Sequence, residues 1–307
     1  MFEIRQDYLT QAKVFMSEAR SSRPNFFSAK KSEAESSSEG CPFCPENRSD
    51  LTDIVSTDYN GRIIILKNKY PAIGGKHGTH EVMVDTNIHA QGFISFSQSE
   101  MERSLQTIIK RGTELEKNEN AQFVQIFKND GKGSGASIDH SHWQLLTMPF
   151  IPEKQTVIHN NFKKYYNENK KSYIEHLYEV KDLIVYENNG AFAYMPYAAI
   201  FEYNINIAPK KHISSISHLE DEDIAYLAVS LKAVLSGLQA KLGEFPFNIC
   251  FQNPPKGEYS ASHFYIEIIP RLGSFAGLEL GSQTHMIGRF PEMQAPLLAK
   301  LIADTGK

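Results

Sequence analysis

Apolar positions along this chain fall into short blocks whose period switches between two and about three and a half. Residues 62–67 and 81–85 are brief, dense in Ile, Leu, Val and Met, and read as strands. Residues 97–116 place Met101, Leu105, Ile108, Ile109 and Leu115 near helical spacing, which predicts an amphipathic helix. Its first turn carries Ser97-x-x-Glu100, a pattern that can satisfy two free N–H groups at the helix end. Strands follow at 122–128 and 140–147, separated by a glycine-rich loop and closed by Pro149.

The same order then returns. Strands are predicted at 182–187, 191–195 and 200–207, and a long helix over 220–242 aligns Ile224, Leu227, Leu231 and Leu235. Strands at 247–252 and 263–269 close the set. Phe123-x-x-x-Phe127-x-Asn129 matches Phe247-x-x-x-Phe251-x-Asn253, and a histidine follows each asparagine, at His140 and His263. Aligning the two histidines sets His142 on Tyr265 and Gln144 on Glu267. These features predict an α+β duplicated fold, two lobes each with an antiparallel sheet and a main helix. The expected division is an N-terminal arm and Ser-rich linker over 1–60, a first lobe over 61–180 and a second over 181–307. Within the arm, residues 28–40 are polar and cannot bury a core, so a solvated linker is expected there.

Composition narrows the partners. The apolar fraction of 41% suits a globular core, and no apolar run approaches the roughly 20 residues of a membrane span. Lys and Arg total 32 against 36 acids, so nothing favours a nucleic-acid backbone. The three cysteines and a charged start without an apolar segment point to a reducing, cytoplasmic setting.

Chemistry concentrates in Asn129-Asp-Gly131-Lys-Gly133-Ser-Gly135-Ala-Ser137-Ile-Asp-His140-Ser-His142-Trp-Gln144. Alternate glycines let backbone N–H groups approach an anion, as phosphate loops do. On a strand, His140, His142 and Gln144 share one face. A neutral imidazole there can attack phosphorus, and the neighbouring amide can donate to the oxygen that gains charge. Cys41-Pro-Phe-Cys44 has the spacing of half a zinc site, with His77, His80, His89 and His140 as candidate partners.

Together these residues resemble the galactose-1-phosphate uridylyltransferase-like branch of the histidine-triad superfamily, closest in pattern to proteins of the ADP-glucose phosphorylase type. Besides the Cys and His motifs, the resemblance rests on Ala19-Arg20-Ser-Ser-Arg23-Pro24, Asn68-Lys-Tyr-Pro71, His80-Glu-Val82, Pro209-Lys-Lys-His212 and Ile266-Glu267 through Glu279. It implies a nucleotidyltransferase or nucleotide-sugar phosphorylase, with His142 as covalent nucleophile and Gln144 holding the transferred phosphoryl group. It implies one structural zinc on Cys41, Cys44, His89 and His140. Arg20, Arg23, Asn68, Asn129, Gly135 and Ser137 would contact the nucleotide, and Glu279 the sugar near the boundary of a homodimer. A nucleotide sugar or sugar phosphate would be the substrate. A hydrolase or a non-catalytic nucleotide-binding protein is the alternative, and Gln144 favours transfer. In the second lobe, Gln252 and Tyr265 stand where the family places ligands of a second metal, so none is expected there.

Overall fold

The computed structural model describes residues 1–20, 38–50, 53–257 and 259–306. Arg23 and most of the expected linker, up to residue 37, lie outside the described residues, as does the side chain of Arg20.

Strands β1 (Phe2–Gln6) and β2 (Lys13–Ser17) form an antiparallel hairpin. The body starts with β3 (Ile54–Asp58), β4 (Ile63–Lys67) and β5 (His80–Val84), then helix α1 (Gln98–Glu116) and strands β6 (Phe123–Asp130) and β7 (His142–Met148). Helices α2 (Glu153–Asn169) and α3 (Tyr173–Val180) follow. The second series is β8 (Ile184–Glu187), β9 (Ala191–Tyr194), β10 (Ile205–Pro209), α4 (Asp221–Leu242), β11 (Phe247–Gln252) and β12 (Tyr265–Pro270). Short α5 (Gly277–Ser282), β13 (His285–Ile287) and α6 (Pro291–Thr305) complete the chain, β13 pairing in parallel with β2.

The two lobes share one antiparallel ten-stranded sheet, ordered β3-β4-β5-β7-β6-β11-β12-β10-β9-β8. The order reads the same from either edge, so an approximate two-fold axis passes between β6 and β11. Those two strands join the lobes through Asn129 opposite Asn248. One face carries α1 and α4 over a core that includes Trp143, Leu145, Ile249 and Ile266. On the other face, Cys41, Phe43 and Cys44 cover the first half, while Ile158, Phe162 and Ile174 of α2 and α3 cover the second.

Local signals explain most boundaries. The box at Ser97 forms, its side chain accepting from Glu100 N while Glu100 bonds back to Ser97 N. Three acids, Asp221 to Asp223, sit in the first turn of α4, where the helix dipole favours negative charge. Gly237 of α4 lets α6 approach: a Cβ there would lie 2.4 Å from Ile302 Cγ1.

Three sequence readings change. The strand expected at 200–207 begins only at Ile205, because a turn closed by Asn204 N to Phe201 O, with Tyr203 at φ 58°, occupies residues 201–204. His140 precedes β7, although its ring still lies on the same sheet face as His142, both flanking Phe43. The aromatic match between halves is one residue out of register. Trp143 pairs with Lys128, and its equivalent Ile266 pairs with Phe251, so Phe251 corresponds to Lys128 rather than to Phe127. A one-residue slip turns every side chain to the opposite face, so that match joined residues of different environments. The corrected register is carried by repeated hydrogen bonds: Phe93 N donates to Asp130 Oδ2 at 2.9 Å, and Ile216 N to Asn253 Oδ1 at 2.9 Å.

Candidate active site

Cys41 and Cys44 form a tight turn, Cys44 N donating to Cys41 O, and this turn sits against β4 and β5. Their sulfurs meet His89 and His140. Cys41 Sγ lies 3.6 Å from His140 Nδ1, Cys44 Sγ lies 3.7 Å from it, and Cys44 Sγ lies 3.3 Å from His89 Nδ1. All four ligand atoms are within 4.8 Å of one another. A tetrahedral zinc about 2.3 Å from sulfur and about 2.0 Å from nitrogen sets its ligand atoms about 3.5 Å apart, which these distances match. His140 Nε2 donates to Thr86 O at 2.9 Å, so Nδ1 keeps its lone pair facing the sulfurs. Burial and the adjacent Cys41 push the Cys44 thiol up to about 11, an environment in which two thiolates need a cation between them. The donor set therefore fits a tetrahedral divalent metal. Of the four histidines that spacing left open, His77 and His80 lie outside this cluster.

Next to the cluster, β7 begins with His142. Its Nδ1 donates to His140 O at 2.8 Å, which leaves the lone pair on Nε2. Burial, aided by the nearby Lys128 charge, holds its pKa below the usual imidazole value, so the ring is neutral at pH 7. A neutral imidazole with a fixed tautomer and a free Nε2 is a nucleophile in waiting.

Gln144 depends on a residue that sequence reasoning did not place here. His80 Nδ1 accepts from Ala72 N at 3.0 Å, so the proton is on Nε2, which donates to Gln144 Oε1 at 2.9 Å. That bond fixes the Gln144 amide and leaves its NH2 group free to donate. Asn68 Nδ2 lies 3.1 Å from the same His80 nitrogen, which brings Asn68 to the site. The place of His80 opposite β7 is not visible in the sequence, because it needs the β5–β7 register.

The glycine-rich loop leaves β6 with Gly131, Gly133 and Gly135 at φ 78°, 103° and 94°, values that favour glycine at each. Asn129 and this loop are held by the other half: Asn248 Nδ2 donates to Asn129 Oδ1 at 2.7 Å and to Ser134 O at 2.8 Å. Ser137 is exposed in the same loop. Glu279 is elsewhere. It caps α5, accepting from Ala276 N, on the wall of a cavity of about 1190 Å³ that also contains Tyr265 and Glu267. Gln144 and Glu279 thus line different halves of this chain.

The second half keeps part of the pattern. His263 Nε2 donates to Pro209 O at 3.0 Å, as His140 does to Thr86 O, and its ring lies 5.4 Å from that of His212. Ser172 Oγ, not a thiolate, meets His263 Nδ1 at 2.8 Å. Gln252 is bound to Gln155 and Glu267 by side-chain hydrogen bonds.

A family described as "Domain of unknown function (DUF4931) N-terminal domain" matches residues 25–151. The chain is 25% identical to the ADP-glucose phosphorylase of Arabidopsis thaliana over 97% of its own length and 93% of that protein's. It is 27% identical to the galactose-1-phosphate uridylyltransferase of Thermotoga maritima, covering 86% of this chain and 85% of that one. The crystal structure of an Arabidopsis thaliana ADP-glucose phosphorylase with bound ADP-glucose superposes with a TM-score of 0.88 over 98% of both chains, at 25% identity. The relatives and solved structures to which the chain is similar are of the galactose-1-phosphate uridylyltransferase-like branch of the histidine-triad superfamily, and its fold resembles theirs. Among the described residues, no helix is long and apolar enough to cross a membrane.

Proposed function

We propose that this protein is a nucleotidyltransferase or nucleotide-sugar phosphorylase that works in two steps through His142. The observation that carries the reading is the His142 ring, neutral and held by His140 O with Nε2 free, beside an amide whose orientation His80 fixes. In the first step His142 Nε2 attacks the α-phosphorus of a nucleotide sugar. The N–P bond forms, the bond from that phosphorus to its bridging oxygen breaks, and the sugar 1-phosphate leaves with the electron pair. In the second, an oxygen of a phosphate or sugar phosphate attacks the same phosphorus and the N–P bond breaks. The Gln144 NH2 group donates to a non-bridging oxygen as charge develops there. Asn68, Asn129 and the loop through Gly135 and Ser137 would hold the nucleotide, and Arg20 and Arg23 its phosphates. Transfer is favoured over hydrolysis by Gln144 and by relatives named as a phosphorylase and uridylyltransferases.

Cys41, Cys44, His89 and His140 would hold one zinc, whose role is to pin the Cys turn and the approach to β7. Glu279, far along the fold from Gln144 in one chain, is assigned to the sugar site of a partner subunit in a homodimer. The test is incubation with a panel of labelled nucleotide sugars and mass analysis of the protein. An acid-labile nucleotidyl adduct on His142, discharged by phosphate or a sugar phosphate, is expected. Turnover of a confirmed substrate without any such adduct would overturn the two-step mechanism.

A further inference from the structure

Beneath the candidate nucleophile lies a buried polar cluster. Lys128 Nζ is fully enclosed, 3.1 and 3.3 Å from the two Asp85 carboxylate oxygens. It also donates to Ser141 Oγ at 2.7 Å and to His142 O at 3.3 Å. Asp85 Oδ2 accepts in addition from Trp143 Nε1 and Ser104 Oγ, each at 2.9 Å. The rings of Phe93 and Trp143 enclose the ammonium, their centroids 4.5 and 5.2 Å away.

The duplication supplies a control for this cluster. In the corrected register Lys128 corresponds to Phe251, Ser141 to Phe264 and Trp143 to Ile266; Ser104 and Leu227 each lie seven residues beyond the N-caps Ser97 and Glu220 of α1 and α4, and all four replacements are buried. In the place of Asp85 the second half has Pro209, since Met83 pairs with Trp143 as Ile207 pairs with Ile266. The same corner of strand, loop and helix is therefore built twice in one chain, once polar and once apolar. The apolar version shows that sheet pairing and helix packing do not require the charges. A buried ion pair is commonly no more stabilising than well-packed apolar residues in its place, so stability is a poor reason for keeping it.

What the polar version adds is a grip on the backbone. Lys128 is on the helix-facing side of the sheet and the His142 ring is on the other, so Lys128 does not touch a substrate held there. It holds the Ser141 hydroxyl and the His142 carbonyl, the chain that links the last metal-ligand candidate to the nucleophile. We infer that the Lys128–Asp85 pair is a positioning device for His142. It keeps the His140–His142 segment in the one conformation in which Nδ1 reaches His140 O and Nε2 faces the site. The inference rests on the function proposed above, and a misplacement of about 1 Å in such a ring can cost about a hundredfold in rate.

Two variants test it. Lys128→Met with Asp85→Asn removes both charges and leaves an acceptor for Trp143. Ser141→Ala removes one link between the ammonium and the strand. Four quantities are read: thermal midpoint, metal content, the rate of nucleotidyl-adduct formation against nucleotide affinity, and the imidazole nitrogen NMR shifts of His142 without substrate. The paired variant is expected to fold with parental metal and affinity while adduct formation slows about a hundredfold, and Ser141→Ala to slow it about tenfold. In both, the His142 spectrum should change from a single Nδ1–H tautomer to a mixture. A folded paired variant with parental rate and an unchanged ring spectrum would overturn the proposal. So would failure of the pair to fold together with a parental rate in Ser141→Ala, because the cluster would then serve the fold alone. If the parent forms no adduct with any nucleotide sugar, the proposed function falls, and the ring spectra still decide whether the cluster positions His142.

Discussion

Three imidazoles in this site are set apart by what each nitrogen meets. His140 gives Nε2–H to Thr86 O and turns Nδ1 to the cysteines; His142 gives Nδ1–H to His140 O and keeps Nε2 free; His80 gives Nε2–H to Gln144. For the proposed nucleophile, His142→Ala should fold, keep its metal and bind nucleotide, while adduct formation falls by at least roughly a thousandfold. His142→Gly should regain turnover on a preformed nucleotidyl-imidazole that fills the vacated space. Mass spectrometry checks the first expectation and steady-state rates the second. His80→Leu should release the Gln144 amide and lower kcat about tenfold with nucleotide affinity unchanged, the scale of one lost hydrogen bond. A change in KM alone would make His80 a binding residue instead. In the sequence, the motif puts His140, His142 and Gln144 on one face, and only the resemblance assigns His140 to metal and His142 to phosphorus, because i and i+2 spacing places rings on a face without assigning their partners.

At the scale of elements, the Cys41–Cys44 turn packs on β4 and β5 through Cys41, Phe43 and Cys44, meets His89 and His140, and is tied through Arg48 from Phe43 O to Gly61 O and Thr86 O. Cys41→Ser should remove bound zinc and lower the thermal midpoint by several degrees, since metal binding contributes directly to the stability of the fold it closes. Elemental analysis and calorimetry of protein purified without chelators measure both. A parental midpoint with no zinc in the unmodified protein would remove the metal from the proposal. Strands and helices with strong periodicity were readable: α1 and α4 lie close to their expected limits, and the Ser97 box forms. Helices α2 and α3 were not read, because half-exposed helices bury few side chains, Gln155, Ile158 and Phe162 in one and Ile174 in the other. A second capping box, Ser172-x-x-Glu175, was the available signal.

For the molecule as a whole, burial in the second half holds His263 down to about 3, with the His212 ring beside it adding to the effect. An unfolded histidine titrates near 6.5, so below that pH the unfolded chain takes up a proton that the folded one refuses, and stability falls as pH falls. The loss through this residue is about 2 kcal/mol at pH 5 and grows until about pH 3. Urea midpoints at pH 7 and pH 5 should therefore diverge less in His263→Gln than in the parent; an equal divergence would place the dependence on other groups. His263 also shows how much the duplication matters, since its carbonyl partner Pro209 repeats that of His140. The amino-acid sequence by itself determined the α+β class, the duplicated order of elements, the glycine loop and the Cys and His residues of the site, because periodicity, turn chemistry and motif spacing are local properties. Only the tertiary structure decided the register between halves, the merging of the lobes into one sheet through β6 and β11, and the placing of Glu279 away from Gln144. It also decided that His80, a zinc candidate by spacing, bonds to Gln144 instead, and that Lys128, unremarked in its own segment, bonds to the His142 carbonyl. These are contacts between residues far apart in the chain, set by strand pairing and burial, and no local pattern encodes them.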